Sequence, residues 1–405
     1  MSENTTPRNH RAPDVSGLRP RTRLVHGGTR RSGFDETCEA LYQTSGFVYG
    51  SAEEAESAFA NDGQRHVYSR FRNPTSGMFE DRLAEYEGAE WAYATASGMA
   101  AVFASLFSHL KAGDRIVAPW GLFISCLYCI KDIAPRFGII PVLIDGTDMA
   151  QWEEALSQPT AAVFLETPSN PCLDIVDLPA VAKLAKAAGA KVIVDNAFAT
   201  PVLQRPFEMG ADVVVYSATK HIDGQGRCLG GAILTDRKFA TEVVHPFLRH
   251  TGPTISPFNA WLLLKGMETL ELRVAAQTES ALRIAQFLES HPKVERSLYP
   301  FLTSHPQHDL ARRQMTGGGT MVSFWVKGGK AEAFRTMNSL RVGLISNNLG
   351  DSKTLVTHPA TSTHSKLSDE DKRKAGITPN MIRLSVGLED SQDLIDDLEQ
   401  ALATV

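Results

Sequence analysis

The stretch Val213-Val214-Val215-Tyr216-Ser217-Ala218-Thr219-Lys220-His221 decides how the chain is read. Three β-branched residues in succession mark a buried strand, and the strand runs straight into two hydroxyls and a lysine. A lysine in that place is either a solvated edge residue or an amine whose pKa is lowered by its surroundings. A second apolar run, Lys191-Val192-Ile193-Val194, ends at Asp195-Asn196. Two parallel strands ending at one crevice, one with an amine and the other with an acid, suit a cofactor lying across their carboxyl ends.

Pyridoxal phosphate asks for that pairing. It needs a lysine amine for its aldehyde and a carboxylate opposite the ring nitrogen, so that the ring can draw electrons from a substrate carbanion. It also needs an anion cradle, to which Ser217 and Thr219 would bring hydroxyls. Ala96-Ser97-Gly98-Met99-Ala100 reads as a tight turn opening a helix, where outward-facing N–H groups and the helix dipole favour an anion. Plain capping by Ser97 would explain the same residues. Tyr68-Ser69-Arg70 suits a phosphate or carboxylate site, or else a solvated basic loop. Arg383 alternates with Ile382 and Leu384 in a closing strand, so it takes one face alone. There it could clamp a carboxylate or form an interdomain ion pair.

The rest of the chain fits an α/β protein. Between 115 and 200 short apolar strands alternate with helices, which predicts a parallel sheet covered on both faces. Glu166 and Asn170 fall at the end of one such strand. One helix is expected over 122–133 and a long one over 256–290. From about 295 onward, strands at 320–326, 341–346 and 381–386, with helices at 330–338 and 391–402, predict an α+β domain on an antiparallel sheet. The expected division is a tail and arm over 1–63, a cofactor-binding α/β domain over 64–258, and a C-terminal domain over 259–405. Residues 1 to about 20 are expected to be disordered.

Composition narrows the partners. The net charge of −5 gives no reason to expect nucleic acid or an anionic membrane, and no apolar run reaches the roughly 18 residues of a membrane span. Residues 1–23 lack the apolar core of a secretory signal, so a cytoplasmic location is expected. Cys38, Cys126, Cys129, Cys172 and Cys228 make no disulfide framework for a chain of 405 residues. Cys126-Leu127-Tyr128-Cys129 matches C-x-x-C but has no second pair to complete a metal site.

Taken in order, Tyr68-Ser69-Arg70, Ala96-Ser97-Gly98-Met99-Ala100, Glu166-Thr167-Pro168-Ser169-Asn170-Pro171, Val194-Asp195-Asn196, Ser217-Ala218-Thr219-Lys220 and Arg383-Leu384-Ser385-Val386-Gly387 resemble the cystathionine γ-synthase family of pyridoxal-phosphate enzymes. The resemblance runs from about Thr22 onward. It implies the aspartate-aminotransferase-like fold (fold type I), with Lys220 holding the cofactor and Asp195 pairing with its ring nitrogen. Gly98, Met99, Ser217 and Thr219 would bind the phosphate, with Tyr68 and Arg70 reaching it from an adjacent subunit of a homotetramer, a dimer of dimers. Arg383 would hold the substrate carboxylate, helped by Asn170 and the backbone near Ser346. The segments 221–231 and 346–351 most resemble members that join sulfide to O-succinylhomoserine, so γ-replacement yielding homocysteine is implied. The alternatives within the family are a cystathionine γ-synthase that uses cysteine, an O-acetylhomoserine sulfhydrylase and a γ-lyase. Arg227 is a candidate for the distal succinyl carboxylate, or part of a structural ion pair. The family's ring-stacking tyrosine is replaced by Phe123, which keeps the stacking but has no phenol. Its acid–base work would then fall to Lys220.

Overall fold

The computed structural model describes residues 15, 17–60 and 65–405. The disorder expected for residues 1 to about 20 lies outside them except at 15 and 17–20, and a short helix, Pro20–His26, begins at the end of that stretch.

A central sheet is built from β1 (Trp91–Thr95), β2 (Arg115–Pro119), β3 (Ile140–Ile144), β4 (Ala162–Glu166), β5 (Lys191–Asp195), β6 (Val213–Tyr216) and β7 (Gly231–Thr235), in the order β1-β7-β6-β5-β4-β2-β3. Strands β2 to β6 pair in parallel, and β7 lies antiparallel to both of its neighbours. Val213, Val214 and Val215 are all completely buried, because helices cover both faces of the sheet and leave no solvent side to alternate with. This burial explains why β6 reads as an unbroken apolar run. Parallel order also fixes the site. The carboxyl ends of β4, β5 and β6 come out side by side, with Glu166 level with Asp195 and Asp195 level with Val215.

The second sheet holds β8 (Val294–Leu298), β9 (Met321–Val326), β10 (Leu344–Ile345), β11 (Leu355–Thr357) and β12 (Met381–Ser385), in the order β10-β11-β12-β9-β8. It is antiparallel except for the β10–β11 pair. Helices Leu270–Ser290, Lys330–Ser339 and Ser391–Leu402 pack against it.

Three elements depart from expectation. The helix expected over 256–290 is two, Pro257–Met267 and Leu270–Ser290. From the first turn of the second, Arg273 donates its Nη2 to the Gly266 carbonyl at 2.8 Å and its Nη1 to the His221 carbonyl at 2.8 Å. Leu263, Leu264 and Val274 still belong to the core of the central sheet, whereas Ile284 and Leu288 belong to that of the second. The strand expected over 341–346 shrinks to β10. The Asp397 carboxylate takes the N–H groups of Arg341, Val342 and Gly343 at 2.7, 2.8 and 3.1 Å, so they are lost to any ladder. The helix expected over 122–133 becomes Ile124–Tyr128, a wide π-turn at Cys129–Ile133 and a tight 3-10 turn at Ala134–Phe137 containing Pro135, which has no N–H to donate.

Candidate active site

Beyond the carboxyl ends of β4, β5 and β6 lies a cavity of about 250 Å³. Ser97, Gly98, Met99 and Phe123 line it from the turns after β1 and β2. Asn170, Asp195, Ser217, Thr219 and Lys220 reach it from the ends of β4 to β6, and Arg383 from β12. The two sheets therefore close over one space, and ten of the residues singled out in the sequence meet there.

Lys220 Nζ donates to Asn348 Oδ1 at 2.6 Å. Burial, aided by the Arg383 guanidinium and opposed by Asp195, pulls the amine down to about 8. Near neutrality it therefore releases its proton far more readily than a surface lysine. Asp195 accepts the Ala197 N–H at 3.0 Å. Burial lifts its carboxyl to about 6, while the Ala197 N–H and Lys220 hold it down. Glu166, in register with Asp195, is pushed well up by burial and by the Asp195 charge. Its Oε1 accepts the Phe123 N–H at 2.9 Å.

Arg383 is only 1% exposed. Its Nη1 donates to Asn170 Oδ1 at 2.7 Å and its Nη2 to the Asn347 carbonyl at 3.3 Å, while its buried Nε has no hydrogen-bond partner. Burial brings it down to about 10, and it stays cationic. An orphaned N–H on a buried cation facing a cavity is a place for an anionic ligand oxygen.

The anion cradle is tight. Helix Gly98–Phe107 begins at Ser97, whose hydroxyl accepts the Ala100 N–H at 3.2 Å. A Cβ on Gly98 would stand 2.6 Å from Ser217 Cβ, so only glycine lets the helix start lie against the Ser217 hydroxyl. Thr219 exchanges hydrogen bonds with Gly230, its Oγ1 donating to the carbonyl at 3.2 Å and accepting the N–H at 3.1 Å. Amine, acid, orphaned guanidinium and glycine cradle together fit pyridoxal phosphate carrying an amino-acid substrate.

Tyr68, Arg70 and Ser346 do not line the cavity. Tyr68 and Arg70 lie in a separate cleft with Gln43 and Thr254, where an Arg70 Nη1 donates to the Arg249 carbonyl. Ser346 gives its N–H to the Val356 carbonyl at 2.9 Å, and its hydroxyl accepts the Asn348 N–H at 3.3 Å. It therefore serves the site at one remove, by shaping the turn that carries Asn348. Arg227 is also outside the cavity, with Nε on Asp223 Oδ1 at 2.9 Å, so the ion-pair alternative describes it. Sequence reading missed Asn348 and Thr363. Both come from irregular segments after β10 and β11, where no periodicity points to a site.

Residues 21–403 match the profile described as Cys/Met metabolism PLP-dependent enzyme. The chain is 55% identical to an O-succinylhomoserine sulfhydrylase of Mycobacterium tuberculosis over 408 aligned residues, covering 100% of both chains. It is 47% identical to one of Pseudomonas aeruginosa, covering 97% of each. An L-methionine gamma-lyase of Fusobacterium nucleatum is 40% identical, over 95% of this chain and 98% of the relative. Among solved structures, a Campylobacter jejuni protein provisionally described as an O-acetylhomoserine (thiol)-lyase superposes with a TM-score of 0.92 at 34% identity, covering 95% of this chain and 100% of that one. That protein carries N'-pyridoxyl-lysine-5'-monophosphate. The chain belongs to the family of pyridoxal-phosphate-dependent enzymes of cysteine and methionine metabolism.

Proposed function

We propose that the chain converts O-succinyl-L-homoserine and sulfide to L-homocysteine and succinate, a γ-replacement of methionine biosynthesis. The observation that carries this reading is the 55% identity, end to end, with an O-succinylhomoserine sulfhydrylase.

In this reading Lys220 would hold the pyridoxal phosphate, Asp195 would pair with its ring nitrogen and Phe123 would stack on its ring. Gly98, Met99, Ser217 and Thr219 receive its phosphate. When bound, the cofactor supplies an electron sink for charge developing at the substrate α-carbon. The protein's own groups do the rest. Arg383, steadied by Asn170, takes the substrate α-carboxylate on its free Nε edge and so orients the Cα–H bond. The Lys220 amine, held down to about 8, takes the α-proton and then a β-proton, and later returns one proton to each carbon. Phe123 has no acid to offer, so one amine serves both directions. Loss of the β-proton breaks the Cγ–O bond, succinate leaves with that electron pair, and sulfide forms the new Cγ–S bond.

Tyr68 and Arg70, which a single chain leaves outside the cavity, would complete a phosphate site on a second copy. We assign the chain to a homotetramer built as a dimer of dimers and located in the cytoplasm. Its parts are a tail and arm over 1–63, a cofactor domain over 64–258 and a C-terminal domain over 259–405.

The test is product analysis with O-succinyl-, O-acetyl- and O-phospho-homoserine, each with sulfide and cysteine in competition. Homocysteine from the succinyl ester is expected to dominate. Cystathionine as the main product, or preference for the acetyl ester, would overturn the substrate assignment, and breakdown to an oxo acid would indicate a lyase.

A further inference from the structure

Glu166 ends β4 at the same level at which Asp195 ends β5, and in a parallel pair their side chains leave the sheet on one face. The Cys126 thiol comes in from the facing helix. One ligand atom from each of Cys126, Glu166 and Asp195 lies within 4.8 Å of the other two. Three acidic groups therefore crowd the end of the cavity where Asp195 awaits the ring nitrogen. Glu166 is 6% exposed, and among the described residues no lysine or arginine reaches it at ion-pair distance. Two adjacent carboxylates in such a place cannot both stay ionised, because charges at this range repel strongly where water is scarce.

Geometry decides which carboxyl keeps the proton. Asp195 has the Ala197 N–H and feels the Lys220 amine, both favouring its charge. Glu166 has the Phe123 N–H at one oxygen and only the weak Cys126 thiol as a further donor, and its charged neighbour is Asp195 itself. The thiol of Cys126 stays protonated, buried beside two acids. A ring nitrogen brings one positive charge and balances one carboxylate, leaving a second uncompensated.

We propose that Glu166 is a positioning residue for the cofactor: it keeps its proton beside Asp195, so that the ring nitrogen meets a single negative charge, while its Oε1 pins the Phe123 backbone and thereby the stacking ring. The inference rests on Asp195 facing the ring nitrogen, but not on which acyl ester or sulfur donor is used. Its test is read on the holoenzyme without substrate, so it stands or fails separately from the product analysis.

The experiment compares wild type, Glu166→Gln and Glu166→Ala by infrared and visible spectroscopy. Gln is a neutral isostere of a protonated Glu. The difference spectrum of wild-type holoenzyme minus Glu166→Gln should contain the carbonyl stretch of a protonated buried carboxyl, over and above the bands of Glu80 and Glu87 that both proteins share. The pH midpoint of the visible cofactor band should be the same in Glu166→Gln as in wild type. Glu166→Ala, which loses the Phe123 anchor, should bind the cofactor about tenfold more weakly. If Glu166 is ionised, Glu166→Gln removes a charge beside Asp195; a midpoint displaced by more than about half a pH unit would overturn the proposal. Absence of that band from the difference spectrum would overturn it equally, and this reading needs only the native fold.

Discussion

Lys220 is buried beside a guanidinium and an acid, and the balance leaves its amine at about 8. Capture of pyridoxal phosphate needs the neutral amine, so the rate at which the visible band appears on adding cofactor to apoenzyme should rise with pH and level off above about 8. A rate that keeps climbing toward the ordinary lysine value would mean that the amine is not perturbed. Arg383 offers a free Nε and two anchored Nη groups. Arg383→Ala should lower kcat/KM by about 100-fold through loss of the carboxylate clamp, with cofactor content unchanged. Arg383→Lys should recover little, since a point charge cannot make the planar two-bond contact. Steady-state kinetics beside cofactor titration checks both.

At the scale of the element, the turn from β1 into helix Gly98–Phe107 depends on one missing side chain. Gly98→Ala would put a methyl 2.6 Å from Ser217 Cβ, so the helix start or β6 must shift. Cofactor affinity should fall about tenfold or more, as measured by equilibrium dialysis. Helix Pro74–Glu87 carries two buried acids behind the sheet. Glu80 accepts the Ala94 N–H at 2.9 Å, and Glu87 accepts the Tyr216 hydroxyl at 2.6 Å. Burial lifts Glu80 to about 7 and Glu87 to about 8. Between the ordinary carboxyl value and these, the fold holds protons that the unfolded chain has released. Their stabilising contribution is thus complete at acid pH and lost as pH rises through about 7 to 8. Glu87→Gln should therefore reduce the fall in Tm between about pH 5.5 and about pH 8.5 by a few degrees. An unchanged slope would exclude Glu87 as its source. The same strands show what a sequence can reveal. β5 and β6 were legible because burial on both faces writes an uninterrupted apolar run, and their terminal residues carry the chemistry. The start of the segment 341–346 was not legible, because the Asp397 carboxylate, 54 to 56 residues later, captures the N–H groups of 341–343.

At the scale of the whole molecule, two sheets with separate cores meet at the Lys220 cavity, and the second contributes only Arg383 and the loops around it. Residues that meet across such distances in the chain could be ordered by motif but not placed by spacing. Tyr68 and Arg70 show the limit. They sit in a cleft of their own, and a site completed by another copy leaves no mark in one chain's periodicity. If they serve a partner's cofactor, Arg70→Ala and Lys220→Ala, each nearly inactive, should regain about a quarter of native activity when their subunits are exchanged, because half of the dimers then hold one intact site of two. No recovery would place Arg70's action within its own chain. The most direct measurement of the central claim is chemical. After borohydride treatment of the yellow holoenzyme, peptide mass spectrometry should find a single pyridoxyl group, on Lys220, and Lys220→Ala should neither carry it nor turn over. A pyridoxyl group on another lysine, or turnover surviving in Lys220→Ala, would contradict the account.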